Sequence, residues 1–346
     1  MRALVAARQR EPVAPVHQGP WPLGDPWRVG EVVIPNRVVL APLAGIGNPV
    51  FRGQARAHGA GLVVSEMVAA HGIHHGNRRT AQMLEVRSGE HPVSIQVFGG
   101  DPGVMAEAAR AVEDAGADMV DINMGCPVPK IMKTGAGAAL LADPAKGAEV
   151  VRAMADAVRI PVTVKMRRGL KPGDMDPAEV ARRFEDAGAA MITIHPRAAA
   201  EEYAGTADHA ISARVVQAVD VPVVISGDIA DAAQARLEVE RTGATAVMIG
   251  RAALGNPWVL GAIAEGQADP RPPLADVLDE LTAFCDDIAG LMGEDRSCHY
   301  LRKFHSWYLA GRGVPDDEVQ ALIEEPDMAG VRARLARLRA QAVAAA

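Results

Sequence analysis

The sequence predicts an α/β fold, a (β/α)8 TIM barrel followed by a helical domain. Three observations predict it. Eight short, β-branched runs follow one another, at 38–42, 62–65, 93–98, 119–123, 162–166, 191–195, 223–226 and 246–249. Most are apolar throughout, as parallel strands covered on both faces should be. Helical patterns separate them, and eight βα units of this length close a barrel. The strand starts also alternate. Runs two, four, six and eight follow a Gly-Ala pair, at Gly59, Gly116, Gly188 and Gly243, whereas runs three, five and seven follow Pro92, Pro161 and Pro222. A doubly wound sheet would want a dinucleotide glycine fingerprint after the first strand. Pro42-Leu43-Ala44-Gly45 stands there instead.

Residues 1–24 carry Pro12, Pro15, Pro20 and Pro22 among small and polar residues. They have no apolar stretch with a cleavage site behind it, so a flexible tail is expected and not a signal peptide. Residues 29–34 predict a hairpin that plugs the bottom of the barrel. After the third run, Asp101-Pro102 supplies an N-cap and a first-turn proline. Met105, Ala108, Ala109 and Val112 follow at helical spacing, and Gly116 is the stop. Asp143-Pro144 and Asp176-Pro177 open two further helices in the same way. The barrel domain is expected over 25–265 and a helical domain over 266–346. Residues 266–273 form a polar linker. Leu274, Val277, Leu278, Leu281, Phe284, Cys285, Ile288 and Leu291 then mark a long amphipathic helix. More helical pattern covers 299–309 and 328–345. From Arg296 onward basic residues outnumber acidic ones, in a chain whose net charge is −7. This last part of the appendage is a basic stretch of an acidic protein.

That balance argues against non-specific wrapping of nucleic acid but leaves room for a local basic surface. No apolar run is long enough to span a bilayer. The three cysteines, Cys126, Cys285 and Cys298, lack disulfide or metal spacing, which fits a reducing cytoplasm. Cys285 and Cys298 are read as helix packing. His71, His74 and His75 have no further ligand at matching spacing, so no metal is expected. Nothing in the chain indicates an oligomeric partner.

Active sites of such barrels are built at the carboxyl ends of the strands, and each run here ends in polar or backbone-exposing residues. The most informative is Asp121-Ile122-Asn123-Met124-Gly125-Cys126-Pro127-Val128-Pro129-Lys130, which holds one thiol on a turn past a strand. A thiol is mostly protonated at neutral pH and serves as an acid as well as a nucleophile. Lys165 and Arg167 lie two apart on one strand and point the same way. A lysine inside a barrel is costly unless it meets an anion or a polarisable ring. Either a core salt bridge or a cation facing an electron-accepting ring satisfies it. Ser226-Gly227-Asp228 and Gly250-Arg251 follow strands seven and eight, where barrels of this kind hold phosphate. His195 stands beside that site. Gln96 ends an apolar strand and suits a core hydrogen bond as well as a ligand contact.

These residues resemble the tRNA-dihydrouridine synthases, the bacterial B-type branch above all, over about 35–309. The resemblance rests on Asn123 to Lys130 with Gly135-Ala136-Gly137-Ala138-Ala139-Leu140, supported by Ala41-Pro42-Leu43-Ala44-Gly45, Val164-Lys165-Met166-Arg167 and Ser226-Gly227-Asp228-Ile229. It implies FMN-dependent reduction of the uridine C5–C6 double bond in tRNA, with NADPH or NADH as reductant. By resemblance, Pro42, Leu43, Ala44, Gln96, Lys165 and His195 hold the flavin ring. Ser226, Gly227, Asp228, Gly250 and Arg251 take its phosphate. Asn123 and Arg167 face cofactor or uracil. Cys126 gives the proton to C5 after hydride reaches C6. Arg302 and Lys303, in Arg302-Lys303-Phe304-His305-Ser306-Trp307-Tyr308, open a tRNA-binding helical domain. The loop after His195 departs from the pattern. It reads Pro196-Arg197-Ala198-Ala199-Ala200-Glu201-Glu202-Tyr203, with one basic residue fewer. Rival readings are a flavin reductase of a small alkene, a lyase using Lys165 as a Schiff-base amine, and a non-catalytic RNA-binding protein that uses Arg332, Arg334, Arg337 and Arg339.

Overall fold

The computed structural model describes residues 22–268 and 272–345. The tail expected over 1–24 therefore lies almost wholly outside the described residues. Within them Leu23 is buried, and its carbonyl accepts from the Arg37 amide at 2.8 Å. The chain is packed from there on.

Strands β1 (Trp27–Val29) and β2 (Val32–Ile34) form the expected antiparallel hairpin. Trp27, Val29 and Ile34 pack against Leu62, Met119, Met191 and Ala246, residues at the starts of barrel strands. The hairpin thus closes the amino-terminal end and leaves the carboxyl end open. The remaining strands are β3 (Val38–Leu40), β4 (Leu62–Val64), β5 (Val68–Ala69), β6 (Val93–Phe98), β7 (Met119–Met124), β8 (Val162–Arg167), β9 (Met191–His195), β10 (Val223–Ser226) and β11 (Ala246–Ile249). They pair in parallel in the order β4-β3-β11-β10-β9-β8-β7-β6, and β4 pairs with β6 to close the ring. The two-residue β5 extends along the upper half of β6. All eight expected strands are present, displaced by a residue or two at some ends. Asp101, Asp143 and Asp176 cap their helices as expected, accepting from Val104, Lys146 and Ala178. Each cap stabilises by about 1 kcal/mol.

After the barrel come helices Leu274–Met292, Glu294–Leu309, Asp316–Ile323 and Met328–Ala345. The third was not expected. Its signal was present, since Pro315 precedes Asp316, Asp317 and Glu318 in the first turn, where negative charge favours a helix. The core does not stop at the linker. Phe51, on barrel helix Pro49–Ala57, meets the rings of Phe284 and Phe304 at 6.5 and 6.4 Å. Gly255, at φ 69°, lets the last barrel loop approach Trp307, whose carbonyl carbon would stand 2.3 Å from any Cβ placed there.

The arginines of the last helix do not form a free basic row. Arg332 pairs with Asp286 and Glu294, Arg334 with Glu318 and Glu325, Arg337 with Glu318, and Arg339 with Asp279. Such exposed pairs add little stability individually, but they occupy the cations that a bare count assigned to RNA. Cys285 and Cys298 are buried on helices, as expected.

Candidate active site

At the carboxyl ends of β3 and β8–β11 lies a cavity of about 480 Å³. That is within the roughly 300–1,000 Å³ of small-molecule sites. Of the residues singled out from sequence, Pro42, Leu43, Lys165, His195, Ser226, Gly227, Asp228, Gly250 and Arg251 line it. Ala44 does not, and Ala41 does.

Lys165 stands on the floor, with no hydrogen-bond partner among the described residues. Burial and then Arg167 pull its ammonium down to about 8, against the opposing pull of Asp121 and Cys126. The buried hydroxyl of Thr193, in register with Lys165, also lacks a partner. His195 is pushed down to about 2, by burial first and then by Lys165, Arg167 and Arg197. Its ring is therefore neutral. Arg197 Nη1, which only donates, lies 3.3 Å from Nε2. The ring proton is thereby assigned to Nδ1.

Two turns form the far end. Among the described residues, no acceptor is found for the amides of Gly227, Asp228, Gly250 and Arg251, so these N–H groups are available to an anion. The Asp228 carboxylate does not compete for that place. It accepts from Arg197 Nη2 at 2.6 Å and from the Ala207 amide at 2.8 Å. Burial works against its charge, but these hydrogen bonds hold it below the usual carboxylate range. Arg197 also donates to the carbonyls of Ala204 and Gly205, and so ties the altered loop to the cavity wall. Tyr203 stands exposed at the rim, with the Arg251 guanidinium 4.9 Å above its ring. In the sequence, Tyr203 is marked only as part of a divergent loop.

Gly227 sits at φ 116°, and a Cβ there would lie 2.8 Å from His195 Cδ2 and 3.0 Å from the Ala207 Cβ. Gly227→Ala is expected to destabilise the fold by about 1–3 kcal/mol, to displace His195, and to weaken ligand uptake. An unshifted melting temperature with undiminished uptake would contradict this placement.

The Cys126 turn forms the rim beside β7. Asn123 Oδ1 accepts from the amides of Gly125 (3.1 Å) and Cys126 (2.9 Å). On the other side, Gly137 packs so close that a Cβ would lie 2.8 Å from the Cys126 carbonyl, which accepts from Ala138. Asn123 Nδ2 donates to Gln96 Oε1 at 2.8 Å, and Gln96 Nε2 donates to Asp121 Oδ2 at 2.7 Å. Arg167 donates to the carbonyls of Gly125, Ala198 and Glu202. In the structure the side chains of Asn123, Gln96 and Arg167 hydrogen-bond within the protein. Their polar atoms hold the loops around the thiol. Lys303 likewise turns inward: its ammonium donates to the Gly45 carbonyl at 2.9 Å and lies 4.3 Å from the Tyr300 ring centre. Arg302 is half-buried, with its Nε unpartnered.

The family model described as "Dihydrouridine synthase (Dus)" matches residues 39–343. The chain belongs to the dihydrouridine synthase family. Among named dihydrouridine synthases, it is 40% identical over 288 residues to "tRNA-dihydrouridine synthase B" of Pseudomonas aeruginosa, covering 82% of this chain and 86% of that one. It is 42% identical over 289 residues to "Probable tRNA-dihydrouridine synthase" of Rhodobacter capsulatus, covering 80% and 87%. Among solved structures, a morphinone reductase mutant in complex with tetrahydroNAD superposes with a TM-score of 0.57 at 17% identity, covering 74% of this chain and 93% of that one. At that identity the likeness concerns the fold. No helix among the described residues of this dihydrouridine synthase is long and apolar enough to cross a membrane.

Proposed function

We propose that this protein reduces the C5–C6 double bond of uridine in tRNA, with FMN as its flavin and NADPH or NADH as reductant. One observation carries the reading. An ammonium without a hydrogen-bond partner among the described residues and a set of free amides line one cavity, and a thiol on a braced turn stands outside that lining, near enough to Lys165 to act on its charge. The residues fit a flavin mononucleotide. Free amides at Gly227, Asp228, Gly250 and Arg251 suit its phosphate, with the Arg251 side chain adding charge. Lys165 suits the electron-rich carbonyl end of the ring, and the neutral His195 offers Nδ1–H as a donor. Leu43 and Met248 give apolar walls. When bound, the flavin supplies hydride to C6 of the uracil.

The chain's own residues do the rest. The Cys126 Sγ–H gives its proton to C5, so that hydride and proton together saturate the bond. An isolated carbon–carbon double bond needs such a positioned acid. Asn123 and Arg167 hold the turn that aims the thiol. The uridine leaves its stack to reach the cavity, since its ring edge is inaccessible within a helix. Lys130 and Lys133, exposed on the same loop as Cys126, are placed to meet tRNA phosphates. A tRNA substrate implies the cytoplasm.

The test is direct. Purified protein, FMN, NADPH and an unmodified tRNA transcript should yield uridine heavier by two hydrogens in a nucleoside digest, whereas free uridine stays unchanged. Consumption of free uridine with untouched tRNA would favour a small-molecule reductase and sink the proposal.

The lysine gives a second expectation. Its cation favours the flavin, and it loses its proton at about 8. Flavin affinity should be level through neutral pH and fall above that value. Lys165→Met should lack the alkaline fall and bind more weakly. The loss is about 1.5–3 kcal/mol for a hydrogen bond to a charged group, roughly ten- to a hundredfold. Fluorescence titration checks both, and equal affinity in the variant would remove Lys165 from the site.

A further inference from the structure

We propose that Asp121 is a positioning residue, a buried carboxylate that serves as counter-ion to Lys165 and anchors the Cys126 turn through Gln96 and Asn123. Its purpose rests on the flavin-site reading, but its test does not.

The register sets the arrangement. Gln96, Asp121 and Thr163 are partners across β6, β7 and β8, and Asn123 pairs with Lys165 one step further up. Side chains in register on neighbouring strands share a face, so these residues form two adjoining layers inside the barrel. Asp121 is almost wholly buried. Its Oδ1 accepts from the Thr163 hydroxyl at 2.6 Å, and its Oδ2 accepts from Gln96 Nε2 at 2.7 Å. From Gln96 the chain of hydrogen bonds runs through Asn123 to the amides of Gly125 and Cys126. One carboxylate therefore ends a relay whose other end is the turn bearing the thiol.

The charged and titratable groups about Lys165 identify its partner. Arg167 lies on its own strand, Asp121 and Cys126 lie on the β7 side, and His195 lies on β9. Tyr203, Asp228 and Arg251 face it across the cavity. Arg167, Arg251 and the neutral His195 bring no negative charge. Asp228 is already paired with Arg197. Of the two carboxylates named, Asp121 is the one that no arginine pairs with, whereas Asp228 also faces Arg251. Burial pushes its carboxyl up to about 6, so it is ionised at neutral pH while Lys165 is still protonated. A buried charge of either sign is costly alone.

Asp121→Asn separates charge from shape. Asparagine can accept from Gln96 and donate to Thr163, because the hydroxyl accepts as well as donates. The relay then survives without the charge. Asp121→Ala cuts the relay as well. The measurement is pH-dependent labelling of Lys165 and Cys126 in the full chain freed of flavin. An amine-reactive anhydride and iodoacetamide are the probes, read by peptide mass spectrometry. Only the neutral amine reacts, so the Lys165 midpoint reports its proton. Loss of a nearby opposite charge lowers that midpoint by about one unit or more, raising labelling at neutral pH roughly fivefold or more in both variants. Cys126 alkylation should rise in Asp121→Ala and stay at the native rate in Asp121→Asn. An unmoved Lys165 midpoint in Asp121→Asn would overturn the counter-ion role, and equal Cys126 rates in all three proteins would overturn the relay. If circular dichroism shows either variant unfolded, Thr163→Val gives the second route. It removes one hydrogen bond from the carboxylate, favours its protonated form, and should lower the Lys165 midpoint in the same direction; no movement there counts against the proposal. Failure of tRNA reduction alone would leave these outcomes readable.

Discussion

Cys126→Ala will keep its flavin, still oxidise NADPH, and lose turnover on tRNA by roughly a hundred- to ten-thousandfold, the range of a positioned general acid. The structure explains why the loss should be confined to one half of the chemistry. The residues suited to the flavin line the cavity, and Cys126 stands outside that lining, on a rim braced by Asn123, Gly137 and Arg167. Removing the sulfur leaves the turn's hydrogen bonds intact, because they are made by its backbone. Dihydrouridine formation at the native rate would take Cys126 out of the mechanism. Loss of flavin along with turnover would show the turn to be part of the cofactor's seat.

Phe304→Ala will cost about 3–5 kcal/mol of stability, the usual penalty for emptying a buried phenylalanine site. Phe304 is fully buried, with Phe284 at 4.8 Å, Trp307 at 5.0 Å, Tyr300 at 5.2 Å and Phe51 at 6.4 Å between ring centres. The cluster joins the helical region to barrel helix Pro49–Ala57. Its loosening should reach the mouth, since Tyr300 and Lys303 on the same helix bond to Asn48 and Gly45 in the loop after β3. Chemical denaturation and tRNA affinity should therefore fall together. A variant as stable as the native chain would show that this interface contributes little. The substitution is a sharper probe than deletion after Gly266, which would strip an apolar surface from the barrel itself.

The barrel was legible because its signal is local. A strand covered on both faces must be apolar along its length, and eight such runs separated by capped helices leave few alternatives. The cavity-lining residues were legible for a related reason: a polar residue at the end of a buried strand has few places to go except the mouth. Their partners were not legible. Arg167 is spent on the carbonyls of Ala198 and Glu202, some thirty positions away in the chain, and its residue type says nothing of that. Asp121 and Thr163 looked like ordinary strand residues until their register put them under Lys165. The tail arginines counted as free charge in sequence, yet each found a carboxylate from another helix or turn. The helix Asp316–Ile323 was missed because two turns with one buried leucine carry almost no periodicity.

The most direct measurement is an experimental structure of the flavin-loaded protein. The ring should lie over Pro42 and Leu43 with Lys165 at its carbonyl end, the phosphate on the amides of 227–228 and 250–251, and the Cys126 sulfur facing the space above the ring. A flavin seated elsewhere, or that sulfur turned into the protein with the cofactor in place, would contradict it.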